Sequence, residues 1–453
     1  MATKHDLAMS LADRFEGALK TARSTFQTGQ TRPLEWRIAQ FKALKAMLGE
    51  HERAFWSTLY RDLGKSHFEA SYIELDNVRN SCDFFIKNLR KLIKPKSTDV
   101  PWYMRRSTGA KNVAEPLGIV LVFSAWNYPL LLALDPLVAA ITAGNAVIVK
   151  PLECAKSMSA QAVQVLEATR QECAVLLRYK FDKIFCTTCP CIGRIIMEAT
   201  AKHLTPVTLE LRGKSPVIID STTDISTSTH RLAPTKWLLN CGQTCIAPDY
   251  ILVHLDVTSS FLEALKEALI YTGYAPYLQQ GVFGSLQTLL DEVKDSVAFS
   301  LGETDKENLV MMPNILLDPP VESRIMQEEI AEPILPVLQV QNMEEALNFV
   351  RSRPQPVAVY MFTTNMELAN EVVEKTSSGS VVINDAGAQF SLQSIPFGGI
   401  GESGMGSYHG RYGFDTFSHL KGVVTTKANR DDPIHYPLYT AKNKAILRAC
   451  LRN

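Results

Sequence analysis

The alternation running through residues 115–220 constrains the fold more than any other feature of this chain. Short apolar, β-branched runs predict strands at 118–123, 146–150, 183–186 and 207–211. Between them lie helical stretches, expected around 134–143, 158–170 and 192–202. Near-continuous apolar strands separated by helices mark an α/β fold, a parallel sheet covered by its crossovers and Rossmann-like in pattern. A second α/β stretch spans about 211–410, with strands near 250–253, 357–362 and 379–383. Residues 8–95 read as an all-helical lead-in with charged faces. Two polar, strand-like segments, 101–114 and 414–426, read as an exposed arm whose edges need partners.

Composition narrows the function classes. At 453 residues the chain is long enough for two or three domains. Its 47 basic and 47 acidic residues balance, which leaves no electrostatic case for nucleic acid or an anionic membrane surface. The apolar stretch 119–150 is interrupted by Asn127, Pro129, Asp135, Pro136 and Gly144, so no integral membrane segment is expected. Nine unevenly spaced cysteines, with no secretory signal in the first ten residues, point to a reducing, cytoplasmic setting. The final Cys450-Leu451-Arg452-Asn453 has a cysteine placed for prenylation, but Arg452 stands where an aliphatic residue is normal, so an unmodified end is expected.

The chemistry centres on Asn240-Cys241-Gly242-Gln243-Thr244-Cys245. A single cysteine is ordinarily a small buried hydrophobe. Here Gly242 permits a tight bend before Cys245, where backbone N–H groups can face whatever the sulfur attacks. Upstream, Thr208-Leu209-Glu210-Leu211-Arg212-Gly213-Lys214 reads as a strand carrying one acid into a glycine turn. Asn127 follows the apolar run Gly118-Ile119-Val120-Leu121-Val122, at the strand end where open α/β sheets place ligands. Its amide there can donate to a developing oxyanion. Cys186-Thr187-Thr188-Cys189-Pro190-Cys191 invites a metal, but structural zinc wants four ligands and no fourth has convincing spacing, so none is expected. Cys241, close in sequence to Cys245, offers a disulfide that would block it.

Cys245, Glu210 and Asn127 in this order resemble the aldehyde dehydrogenase superfamily, class 3 branch. So do Thr31-Arg32-Pro33-Leu34-Glu35-Trp36-Arg37, Met326-Gln327-Glu328-Glu329-Ile330, Pro396-Phe397-Gly398-Gly399-Ile400-Gly401 and Ser403-Gly404-Met405-Gly406-Ser407-Tyr408-His409-Gly410. The likeness covers about residues 15–440. It implies an NAD(P)-binding domain from 1–95 and 115–210, a catalytic domain at 211–410, and an oligomerisation arm and tail at 96–114 and 411–453. It also implies a homodimer oxidising medium or long-chain aliphatic or aromatic aldehydes with NAD or NADP. Cys245 would be the nucleophile, Asn127 the oxyanion donor and Glu210 the base that hydrolyses the thioester. Lys150 and Glu153 would hold the adenine ribose of the cofactor, Glu329 the nicotinamide ribose, and Thr188 and Gly193 would lie at the phosphate turn.

Departures from the family pattern collect on the cofactor side. Only residues 154–185 fill the interval after Lys150-Pro151-Leu152-Glu153, so one strand of the sheet is expected to be lost or compressed. Thr188 stands where the family has Gly, Arg212 replaces the first Gly of Leu-Gly-Gly, and Ala331-Glu332 replaces Phe-Gly. Arg212 and Thr188 are expected to weaken dinucleotide binding. The alternative is a degenerate member, either an interaction protein or a cofactor-free thiol esterase.

Overall fold

The computed structural model describes residues 4–101, 104–150, 163–166, 168–272, 280–305, 307, 310–330, 333–429, 437 and 440–450. Three sheets organise them. The first has the order Gly404–Met405, Val207–Glu210, Lys183–Thr187, Ile119–Phe123, Ala146–Lys150, Val163–Val165. Its strands are parallel except for the two-residue edge Gly404–Met405. The chain runs outward from Ile119–Phe123 to Val163–Val165, then crosses back to place Lys183–Thr187 on the other side. At that reversal the loops leaving the two central strands diverge and open a crevice beyond their carboxyl ends.

The expected helix at 158–170 is corrected in its described part. Val163–Val165 is a strand paired with Val147–Val149, and the helix Arg170–Leu176 begins where the expected one should end. Thr169 caps that helix reciprocally with Glu172. Alternating Val163-Gln164-Val165 fits a pleated edge, and pairing with a buried neighbour outweighs the helix-forming residues around it. The sheet has therefore compressed its outer strand rather than lost it. Residues 151–162, and with them Glu153, lie outside the described residues, as do Ala331 and Glu332.

The helix Leu131–Ala143 is buried along its whole length and ends at Gly144, whose φ of 92° suits a residue without a Cβ. The Thr31–Arg37 motif holds that end. Arg37 is buried and donates to the carbonyls of Thr31, Thr142 and Arg32, while Thr31 Oγ1 donates to Gly144 O. Burial lowers the Arg37 pKa to about 10, so at neutral pH it brings a cation to the negative end of the helix. Among the described residues no helix is long and apolar enough to cross a membrane.

The second sheet runs Val297–Ser300, Asn314–Leu317, Ile334–Val340, Pro248–His254, Ser215–Ile219, Ala358–Phe362, Ser380–Ile383, parallel except at its first strand. The third is an antiparallel arm of Lys96–Thr98, Thr108–Pro116 and Ser418–Thr426. Its strands differ from those expected. Phe414 belongs to a helix, Gly410–Thr416, packed on Leu131–Ala143 so tightly that a Cβ on Gly413 would lie 2.9 Å from Ala139 Cβ.

Candidate active site

Cys245 follows a loop that the backbone alone would not adopt. After the π-helical turn Pro234–Leu238, three consecutive residues have positive φ: Asn240 at 49°, Cys241 at 56° and Gly242 at 83°. For the two non-glycine residues such a conformation costs on the order of 1–3 kcal/mol each. Surrounding hydrogen bonds hold it. Glu69 Oε1 accepts from Asn240 N at 2.6 Å, and Asn240 Nδ2 donates to Asn127 O and Gln243 O. Gln243 returns two bonds to Asn240 O, and Tyr128 Oη meets Thr244 Oγ1 at 2.5 Å.

A buried ion pair fixes the facing loop. Lys65 Nζ donates to Glu74 Oε1 at 2.6 Å and to Asn127 O at 2.7 Å, and lies 4.0 Å from the Tyr128 ring centroid. The other Glu74 oxygen accepts from Leu130 N and Leu131 N, satisfying the start of the buried helix. Asn127 is thereby locked across from Cys245, and its Nδ2 donates to Gln243 O at 3.0 Å. That bond uses one amide N–H; the other remains for a ligand.

Cys245, Asn127, Thr188, Arg212 and Glu329 line one cavity of about 280 Å³. Ile73, Trp126, Leu132, Leu239, Phe390 and Phe397 make much of its wall apolar. Burial, then Glu210 and Glu329, push the Cys245 thiol up to about 12, with Arg212 opposing them. Glu210 is 4% exposed at the end of its strand, and burial raises its carboxyl well above the usual range. Its Oε1 has no hydrogen-bond partner among the described residues.

The cofactor-side residues divide. Thr188 N donates to Glu210 O at 2.9 Å, so this turn amide is committed to the sheet. Glu329 reaches the cavity on a segment anchored by Lys214, which pairs with Asp249 and donates to Ile325 O and Glu328 O. Asp249 also accepts from Ile330 N. Arg212 Nη1 lies 3.7 Å from Glu329 Oε2. Lys150 is half-buried at its strand end and Gly193 is buried in a helix; neither lines the cavity. A Cβ on Gly193 would come 2.8 Å from Leu211 Cδ2, so this glycine serves close helix–sheet packing. Among the described residues no three metal-binding groups gather, and neither Cys241 nor Cys245 is held in a disulfide.

Sequence reasoning missed Lys65, Glu69 and Glu74. On a charged helical lead-in they are indistinguishable from surface residues; only the docking of those helices against the cysteine loop singles them out.

The aldehyde dehydrogenase family model matches residues 6–423. The chain is 42% identical over 450 residues to aldehyde dehydrogenase family 3 member H1 of Arabidopsis thaliana, covering 94% of this chain and 93% of that one. It is 39% identical over 450 residues to family 3 member A2 of Rattus norvegicus, covering 93% and 91%. A solved structure described as the substrate-bound state of Staphylococcus aureus AldH is 34% identical, has a TM-score of 0.91, and covers 96% of this chain and 99% of its own. The chain belongs to the aldehyde dehydrogenase family, among its family 3 members.

Proposed function

We propose that this aldehyde dehydrogenase oxidises medium or long-chain aliphatic or aromatic aldehydes through a covalent adduct on Cys245. The supporting observation is the convergence of Cys245 and Asn127 on one largely apolar cavity, with the buried Glu210 close enough to raise the thiol's pKa. The Cys245 sulfur, once deprotonated, adds to the aldehyde carbon, and the carbonyl oxygen gains the negative charge. The second Asn127 N–H and the Cys245 backbone N–H would hold that charge, each such donor being worth roughly 10²–10³ in rate.

The residues present suit the nicotinamide end of a dinucleotide: buried Thr187 Oγ1 and Glu210 Oε1 lack partners among the described residues, and Glu329 lines the same cavity. Glu329 would hold the nicotinamide ribose, Thr188 the phosphate turn, and Lys150 the adenine ribose, with Glu153 outside the described residues. When bound, NAD or NADP supplies a positive charge and the hydride acceptor that takes the adduct to a thioester. Glu210, ionised, removes a proton from water, and the hydroxide attacks the thioester carbon to release the acid and restore Cys245.

A specific contact favours the second reading, a cofactor-free thiol esterase, because Arg212 already engages Glu329. Titration of NAD and NADP against the full chain by calorimetry, beside aldehyde and ester assays, separates the two. Cofactor-dependent acid formation is expected; ester hydrolysis with no cofactor binding up to millimolar concentration would overturn the dehydrogenase reading. We extend the proposal to a cytoplasmic homodimer. It is supported by free thiols around the cavity and by the outer arm strand Ser418–Thr426, which exposes Leu420 and Val424. A monomer in light scattering at micromolar concentration would refute the dimer.

A further inference from the structure

We propose that Cys189 and Cys191 form a redox-active dithiol on the rim of the cavity, a modification site that a hydroperoxide converts reversibly into an intrachain disulfide. Cys189 lines the cavity where the strand Lys183–Thr187 gives way to the helix Pro190–Ala201, and Cys191 sits in the first turn of that helix. Their sulfurs are 2.8 Å apart. Pro190 between them has a fixed φ and no N–H, so the backbone joining the two thiols is stiff and already compact. A bond of about 2.05 Å then needs little more than side-chain rotation. Cys191 is exposed and Cys189 half-buried, so small oxidants reach both. Cys186, the third cysteine of the motif, is buried in its strand and does not join them, and no metal-binding group of three forms among the described residues.

The pair is chemically asymmetric. Burial alone would raise the Cys189 thiol, but the Cys191 thiol, the Ile192 N–H and the Arg212 guanidinium together hold it below its ordinary value. Contact with Cys189 pushes the Cys191 thiol up. One sulfur is thus the attacking thiolate and the other the resolving thiol. Cys245, with its thiol pushed up to about 12, competes poorly for the same oxidant at neutral pH.

The step balances. The Cys189 thiolate attacks one peroxide oxygen, the O–O bond breaks, and the sulfur is oxidised to a sulfenic acid while the departing alkoxide or hydroxide takes up a proton. The Cys191 thiolate then attacks the Cys189 sulfur. The S–O bond breaks, hydroxide leaves as water after protonation, and the S–S bond forms. Two thiols and one hydroperoxide give one disulfide, one alcohol or water, and one further water.

The test uses the full chain carrying Cys245→Ala, which removes the other cavity thiol. Reduced protein is treated with hydrogen peroxide, blocked with N-ethylmaleimide, digested and mapped by mass spectrometry. The expected product is a peptide containing Cys189 and Cys191 that has lost two hydrogens, takes no maleimide and regains both sites after dithiothreitol. In a second variant, Cys191→Ser, dimedone is expected to trap a sulfenic acid on Cys189. Full maleimide labelling of both cysteines after peroxide, a disulfide joining Cys189 to a different cysteine, or no dimedone adduct in Cys191→Ser would each overturn the proposal.

Discussion

At the thiol end of the cavity every departure from relaxed geometry is tied down by buried bonds. At the dinucleotide end the contact between Arg212 and Glu329 is half-exposed. Asn240 and Cys241 keep positive φ because Glu69, Asn127 and Gln243 satisfy the loop from several sides. Arg212, by contrast, is 39% exposed in its side chain and meets Glu329 at 3.7 Å, a contact that solvent screens. The difference teaches where such a chain tolerates change. Removing one partner from a buried network strands the rest, whereas an exchanged residue on a solvated rim leaves the fold intact.

Breaking the thiol end has the largest expected consequence. Cys245→Ala should lower dehydrogenase and esterase turnover by at least about 10⁴-fold, as loss of a covalent nucleophile does elsewhere. If the variant keeps its activity while an electrophile labels Cys241, the nucleophile has been misassigned. Glu210→Gln should lower kcat by roughly 10²–10⁴ and let an acyl adduct on Cys245 accumulate, visible as added intact mass. Because burial raises the Glu210 carboxyl, thioester hydrolysis should climb as pH rises through that raised value and fall below it, where the protonated acid cannot accept a proton. A pH-independent hydrolysis rate would remove Glu210 from the base role.

Asn127→Ala should cost about 10²–10³ in kcat with little change in KM, since oxyanion contacts are made chiefly in the transition state. The free thiol gives a gentler probe. With its pKa pushed up to about 12, Cys245 in the cofactor-free chain should react with iodoacetamide about tenfold faster per pH unit between pH 7 and 10. A plateau near neutrality would mean the resting sulfur is already a thiolate. The smallest effect belongs to the rim: Arg212→Gly should tighten NAD binding by up to about fivefold, the scale of an exposed ion pair. No change in calorimetric affinity would shift attention to Thr188 and residues 151–162.

Much of the framework was legible before any coordinates. The strands at 119–123 and 146–150 stood out because strands buried on both faces leave an uninterrupted β-branched run, and Asn127 just after the first and Lys150 at the end of the second came into view with them. The stretch 158–170 misled because helix-forming alanines and glutamines surround a three-residue strand that exists only through pairing with its neighbour. Phe414 misled for a related reason: its helix is set by packing against Ala139 rather than by local pattern.

What the sequence determined by itself was the layer architecture, because it depends on periodicity; it also singled out Cys245, Glu210 and Asn127 as candidates. Tertiary structure alone decided that Lys65, Glu69 and Glu74 brace the thiol loop and that Gly193 packs on Leu211. It alone also brought Arg212 to Glu329. The physical reason is range. Strand and helix patterns follow from neighbours along the chain, whereas a buried charge or a thiol takes its chemistry from groups delivered by other elements, whose approach no local pattern encodes.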